Sequence, residues 1–176
     1  GPIAGLFAVE QIFDKLDNID ILTLRPAFFY NNFYANQDLI RHMGIIGSNY
    51  GADQPLIMVD PKDIAAAAAG KIKEGFAGKS IFYIASDKRL LKEVAEELGK
   101  AIGKPELPWV AFDDVQAFDG MVGAGLPEEI AKNYVEMGTA IKSGVLWEDF
   151  ESKNTVPIGK IKLEDFAKQF AIAYNG

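Results

Sequence analysis

Ile3, Leu6, Phe7, Ile12, Phe13 and Leu16 recur at helical spacing, while Glu10, Gln11, Asp14 and Lys15 take the other face. Residues 3–16 are therefore predicted to form an amphipathic helix. Asp17-Asn18 turns the chain out of it. Five of the six residues from Ile19 to Leu24 are apolar or β-branched, the pattern of a buried strand. Pro26 is expected to end that strand, because a ring without an N–H cannot continue a central ladder. A short helix over 35–43 follows, then an irregular stretch marked by Gly44, Gly47 and Gly51. Leu56–Val59 reads as a strand, and Asp63 as the N-cap of an alanine-rich helix over 64–73. Ser80–Ala85 is a third strand, with Ser86 or Asp87 capping a helix that runs to Ala101 and stops at Gly103-Lys104-Pro105. Trp109–Phe112 is a fourth strand. Helices are predicted over 113–123, over 127–143 with Pro127 in the first turn, and over 163–173. Strands alternating with helices, followed by helices alone, give an α/β class with a helical C-terminal part.

Composition narrows the function classes. The 49% apolar share of 176 residues fills a core, and no run approaches 18 uncharged apolar residues, so no membrane-spanning helix is predicted. The first residues lack the basic-then-apolar order of a secretory signal. With no cysteine there is no disulfide, thiolate zinc site or cysteine nucleophile, which fits a cytoplasmic location. A net charge of −7 with scattered Lys and Arg argues against a nucleic-acid surface. His42 is the only histidine, so no two-histidine metal site is expected, and the acidic pairs fall on predicted helix faces or ends. Gly120-Met-Val-Gly-Ala-Gly125 has no strand before it and reads as a loop between helices. No phosphate-binding glycine loop or nucleophile elbow occurs.

The segment after Arg25-Pro26 holds three aromatics and two amides, Phe28, Phe29, Tyr30, Asn31 and Asn32. Ligands of open α/β sheets sit just beyond the carboxyl ends of the strands, so a flat ligand could rest here. The three rings read either as packing beneath a loop or as a ligand wall. Asn31 and Asn32 either orient a substrate or satisfy loop backbone groups. Arg25 is expected to pair with an acid across the helix layer, Glu10 by position. Asp60 and Asp63 read as turn and cap groups, and Trp109 and Trp147 as core or interface anchors.

Several stretches carry a resemblance. Gly1-Pro-Ile-Ala-Gly-Leu6 with Glu10, Leu24-Arg25-Pro26-Ala27-Phe28-Phe29-Tyr30-Asn31-Asn32-Phe33, Val59-Asp60-Pro61-Lys62-Asp63-Ile64-Ala65, Glu93-Val-Ala-Glu-Glu-Leu98 with Gly103-Lys-Pro105, and Leu163-Glu-Asp-Phe166 occur in one order. They resemble the C-terminal part of the NmrA-like family, atypical short-chain dehydrogenases/reductases that bind NAD(P). The resemblance implies the C-terminal portion of a Rossmann-like NAD(P)-binding fold with few strands. Residues 1–102 would be the sheet-bearing half with interleaved substrate-side segments, and 103–176 a mainly helical substrate-side subdomain. It implies cofactor contacts from Pro26, Ala27, Phe28 and Phe29, and substrate contacts from Tyr30, Asn31 and Asn32. Relatives often carry glycine where Ala27 stands, so its methyl either crowds the cofactor or changes the turn.

The resemblance also implies that the chain is a fragment whose upstream half holds the other strands and the phosphate loop. The strand at 19–24 would then have an open edge, to be filled by that half, another chain, or a homo-oligomer. By the same alignment the superfamily's Tyr-x-x-x-Lys pair falls at Pro2 and Leu6, neither able to move a proton, so no catalytic residue is assigned. An NAD(P)H-dependent oxidoreductase acting on a quinone or azo acceptor, a redox-sensing regulator acting through protein partners, and a sugar-nucleotide epimerase relative stay open. The lost pair weakens the epimerase most. Binding of NADP or NAD by the chain alone is expected to be weak or absent, since the phosphate loop lies upstream.

Overall fold

A computed structural model describes residues 1–153 and 155–176. The elements run α1 (Ala4–Phe13), β1 (Ile21–Pro26), β2 (Phe28–Phe29), a 3-10 segment (Tyr30–Asn36), α2 (Gln37–Met43), β3 (Ile46–Ser48), β4 (Pro55–Val59) and α3 (Pro61–Glu74). They continue with β5 (Lys79–Ile84), β6 (Asp87–Leu90), α4 (Leu91–Ala101), β7 (Trp109–Ala111), α5 (Asp114–Gly123), α6 (Glu128–Lys142), a 3-10 turn (Val145–Trp147), α7 (Glu148–Ser152) and α8 (Leu163–Asn175). Three small sheets result: β1 parallel to β5, β3 parallel to β7, and β4 between parallel β2 and antiparallel β6.

The main core lies between α4 and α8. Leu91, Val94 and Leu98 of α4 meet Leu163, Phe166 and Phe170 of α8, and Tyr30, Phe33, Ile40, Leu56 and Met58 close it from the strand side. Tyr30 stacks on Phe166 at 5.2 Å between ring centroids and Tyr34 on Phe170 at 5.7 Å, so parallel rings add to the area they remove from water. Residues on both sides of position 102 build this one core.

Five boundaries differ from the sequence expectation, each for a local reason. Pro26 lies inside β1 instead of ending it. Ile21 N–H donates to Gly78 and Ala27 N–H to Ile84, so odd-numbered residues face β5 and the nitrogen of Pro26 faces the open edge, where no donor is needed. Gly47 belongs to a strand: it crosses β7 so closely that a Cβ would strike the Val110 carbonyl oxygen and come within 3.1 Å of the Phe112 ring. The cap of α3 is Asp60, whose carboxylate accepts from Lys62 N–H at 2.8 Å with Pro61 following. Neither Ser86 nor Asp87 caps α4, because β6 intervenes and Glu93 instead accepts from Leu90 N–H at 2.7 Å. Gly120–Gly123 continue α5, and only Gly125, with φ +93°, makes the turn.

The helical part is pinned to the strands by Asn49, a buried amide beyond β3. Its Nδ2 donates to Asp114 Oδ1 at 2.9 Å on α5 and to the Val135 carbonyl at 3.0 Å on α6. Gly138 of α6 leaves the room that this amide fills.

Gly99 on α4 packs as closely, since an added Cβ would stand 2.8 Å from the Cβ of buried Leu107 and against the Lys104 carbonyl. Gly99→Ala is expected to destabilise the chain by about 1–3 kcal/mol through overpacking. Gly120→Ala, with nothing within 4 Å of the new methyl, should stabilise it by about 0.5–1 kcal/mol. Urea unfolding of the two variants beside the parent reads both signs.

Candidate functional site at the strand ends

The backbone after β1 alternates as a strand must, so neighbouring side chains point to opposite sides. Phe28 and Tyr30 turn inward and are buried. Ala27 is half-buried, Phe29 is 38% exposed, and Pro26 is exposed. The four residues expected to meet a cofactor therefore divide. Ala27 and Phe29 lie on one side as a short apolar shelf, Pro26 lies on the other, and the Phe28 ring packs on Phe33 at 5.4 Å and edge-on to Tyr50 at 5.6 Å. Tyr30, expected on a substrate wall, is wholly inside, its ring stacked on Phe166 and its hydroxyl donating to the Ile161 carbonyl at 3.4 Å. Burial, the largest cause, pushes its phenol well above the usual tyrosine value. Asn31 and Asn32 are exposed on the first turn of the 3-10 segment, beside the shelf in sequence.

Ala27 does not have the left-handed backbone that would call for glycine. Its methyl packs against Ile57, Ala85 and Phe150, so it is housed by the second, smaller core.

The shelf is held by residues whose role the sequence did not disclose. The Ile84 carbonyl accepts from Ala27 N–H at 2.9 Å, and the next carbonyl, Ala85, accepts from both Ile158 and Gly159 N–H at 2.9 Å. Ser86 N–H donates to Met58 at 2.7 Å. The Ser86 hydroxyl donates to Asp63 Oδ2 at 2.7 Å and accepts from Asp60 N–H at 3.1 Å. Asp63, buried, also takes Ile161 N–H at 3.0 Å, and Lys162 closes the strap by reaching the Ser86 and Gly159 carbonyls. Gly159 is required because a Cβ there would collide with both the Ser86 hydroxyl and Asp63. Residues 158–162 are thus strapped over the ends of β4 and β5, next to the shelf. Asp63 read as a cap in the sequence because its strap partner lies 98 residues away.

Beneath β1, Arg25 pairs with Glu10 as its position implied, Nε reaching Oε1 at 3.1 Å and Nη2 the other oxygen. Its third nitrogen donates to Tyr83 Oη at 2.8 Å and Asp149 at 3.2 Å, joining α1, β1, β5 and α7. The hydrogen bond to Glu10 is the main reason the guanidinium sits above its ordinary value. Among the described residues no helix is long and apolar enough to cross a membrane.

These features were compared with known proteins. No family model matches the chain. A (4-alkanoyl-5-oxo-2,5-dihydrofuran-3-yl)methyl phosphate reductase of Streptomyces griseus is 25% identical over 124 residues, 69% of this chain and 42% of that protein. An NADPH-dependent quinone oxidoreductase of Escherichia coli superposes with a TM-score of 0.76 at 23% identity, over 93% of this chain and 59% of its own. That enzyme has also been solved with NADPH. The triphenylmethane reductase of Citrobacter sp., solved with NADP(H), gives 0.78 at 22% identity over 97% and 60%. A nucleoside-diphosphate-sugar epimerase of Staphylococcus aureus gives 0.71 at 21% over 92% and 56%. The fold matches the C-terminal part of the Rossmann-like fold of these proteins. The chain spans about two fifths to three fifths of the length of these relatives.

The strap and the buried tyrosine make separable predictions. Asp63→Ala, which leaves Ile161 N–H and the Ser86 hydroxyl without their acceptor, should cost about 2 kcal/mol and speed exchange of the Ile161 amide. Tyr30→Phe should cost less than about 1 kcal/mol at neutral pH, because the lost bond is long. With the folded phenol raised, stability is full below about pH 10, where both states keep the proton, and falls at higher pH as the unfolded chain releases it first. The phenylalanine variant should lose less stability than the parent across that alkaline range, read by denaturant midpoints.

Proposed function

We propose that the chain is the acceptor-side part of an NAD(P)H-dependent oxidoreductase of the NmrA-like type. The observation that supports this most is the shelf of Ala27 and outward Phe29 beside exposed Asn31 and Asn32, at strand ends of a fold shared with two solved reductases. The shelf fits a flat ring. It does not fit a pyrophosphate, which calls for a glycine-rich turn at a helix N-terminus, and α3, which starts nearest the shelf, opens on Asp60-Pro61. The chain's own share of cofactor binding is therefore confined to the nicotinamide end.

A bound nicotinamide supplies a hydride. The acceptors named for the three reductases are a quinone, triphenylmethane dyes and a dihydrofuranone bearing a second carbonyl, all conjugated electrophiles. Such an acceptor takes the hydride's electron pair into an extended π system. With a quinone, a hydride together with one proton from water would give hydroquinone. That chemistry needs no Tyr-x-x-x-Lys relay, consistent with Pro2 and Leu6 at those positions. Phe29 supplies a face for the acceptor and the amides of Asn31 and Asn32 donate to its oxygens, while an apolar shelf keeps water from the reacting carbon.

The test joins this chain to a nucleotide-binding half and follows NADPH absorbance with a quinone, a triphenylmethane dye and an azo dye. Oxidation is expected with at least one acceptor, with Phe29→Ala lowering kcat/KM about 10-fold. The chain alone should bind NADPH no tighter than about 100 µM by calorimetry. Tight binding without oxidation of any acceptor would overturn the enzyme reading in favour of a redox sensor.

A further inference from the structure

We propose that Glu136 of α6 is a specificity-determining residue of the acceptor site. It stands at the mouth of an apolar cavity beside the shelf and selects a conjugated organic cation, a triarylmethane dye, over neutral and anionic acceptors. The inference rests on the oxidoreductase reading for what the site does, and on the following geometry for what it binds.

α1 runs antiparallel to β1. Asp14, just past the end of α1, accepts from Lys79, which pairs with Ile21 at the start of β1, while Glu10 bonds Arg25 near the strand's end. Pro2 and Ile3 therefore lie beyond the carboxyl end of β1, on the side where the shelf stands. They face Met137 and Ala140 of α6 and Leu146 of the second 3-10 turn across a cavity of about 230 Å³. A cavity on the order of 150 Å³ already holds a benzene ring, so one aryl arm of a larger molecule fits. Met137 and Leu146 pack on the main core, so their wall is in place before anything binds. Trp147, the next residue, packs with the small core that houses Ala27. Cavity and shelf are thus joined through a single indole, and a ligand of several linked rings can reach from one to the other.

The chemistry of the lining decides the class of ligand. Its apolar side chains carry no hydrogen-bond donor, and an ionised carboxylate only accepts, so a quinone oxygen or a sulfonate finds no partner there. Glu136 brings the charged side chain of the lining, 67% exposed and so at the mouth. It already holds a cation, since its Oε2 takes the α-ammonium of Gly1 at 2.5 Å. Positive charge delocalised over an aryl arm suits both an apolar wall and a carboxylate at the rim. Asn31 and Asn32 remain donors for an acceptor oxygen at the shelf and do not rank acceptors by charge.

A cation also suits the reaction. Taking up the hydride, the central carbon of the dye gains a C–H bond and the positive charge is cancelled. The nicotinamide that gives up the electron pair is oxidised, and no proton is needed, in keeping with Pro2 and Leu6 at the relay positions. The neutral leuco product loses its attraction to Glu136, so reduction loosens its hold.

The test titrates this chain, without cofactor, by equilibrium dialysis against malachite green, its neutral leuco form and a sulfonated, anionic triarylmethane dye. The cation should bind about 5-fold tighter than the leuco form, and the anion weakest. Glu136→Gln, a change at an exposed side chain, should leave thermal unfolding in place and erase the preference, as should salt at about 1 M. Acetylation of the Gly1 amine frees Oε2 and should raise the preference. Methyl resonances of Met137, Ala140 and Leu146 should shift on dye binding, and Ala140→Phe, which fills the cavity, should abolish binding of cation and leuco form alike. Equal binding of the dyes, a preference that survives Glu136→Gln, or binding that leaves those methyl resonances unmoved overturns the proposal. Joined to a nucleotide-binding half and given NADPH, a protein that binds dye with this preference and reduces no acceptor removes the oxidoreductase reading and leaves the cation site standing. NADPH oxidation with no charge preference among acceptors keeps that reading and removes the proposal.

Discussion

Ile84, Ala85 and Ser86 are three consecutive residues on which the β1–β2 link, the end of β4, the start of α3 and the 158–162 strap converge. Their carbonyls take Ala27 N–H, Ile158 and Gly159 N–H and the Lys162 ammonium, while the Ser86 amide and hydroxyl engage Met58, Asp60 and Asp63. Met58, Asp60, Asp63, Ile84, Ala85 and Ser86 are buried, and a polar group left unpaired there costs more than any one of these bonds contributes. The end of β5 is therefore fixed in position by necessity. The shelf of Ala27 and Phe29 takes its height from Ile84, and the strap takes its path from Ala85. A change in any of the three is transmitted to both sides of the candidate site at once.

Much of this architecture was visible in the sequence. Long periodic stretches such as 127–143 and 163–173 became α6 and α8 with ends within two residues, because their apolar faces are matched by α5 and by α4 with the strands. The Arg25–Glu10 pair was legible because one strand residue and one helix residue 15 apart face each other across a single layer. Illegible were the features decided by partners far along the chain. Gly47 looked like loop punctuation because its crossing of Val110 is 63 positions distant, and β6 was hidden in a polar run, Asp87-Lys88-Arg89, that pairs only because β4 lies beside it.

The candidate site was legible as a region and not as a set of side chains. The segment after Pro26 stands at strand ends, as its aromatics and amides implied, but strand alternation sends Phe28 and Tyr30 inward and leaves Phe29 outside. Composition alone could not make that division, since adjacent phenylalanines are chemically identical. The strap was missed altogether: Val156-Pro157-Ile158-Gly159 has no periodicity, and its one signal is a glycine whose need appears only when Asp63 and Ser86 are brought against it.

The buried Asn49 amide settles how the helical part can behave. One nitrogen grips the first turn of α5 and the middle of α6 together, inside the gap that Gly138 leaves. Neither helix can slip along the other without stranding that amide in an apolar interior. The two helices are thereby held as one unit, and Val115, Ile130 and Tyr134 stand exposed on its outer surface, where they can be exchanged without disturbing that grip.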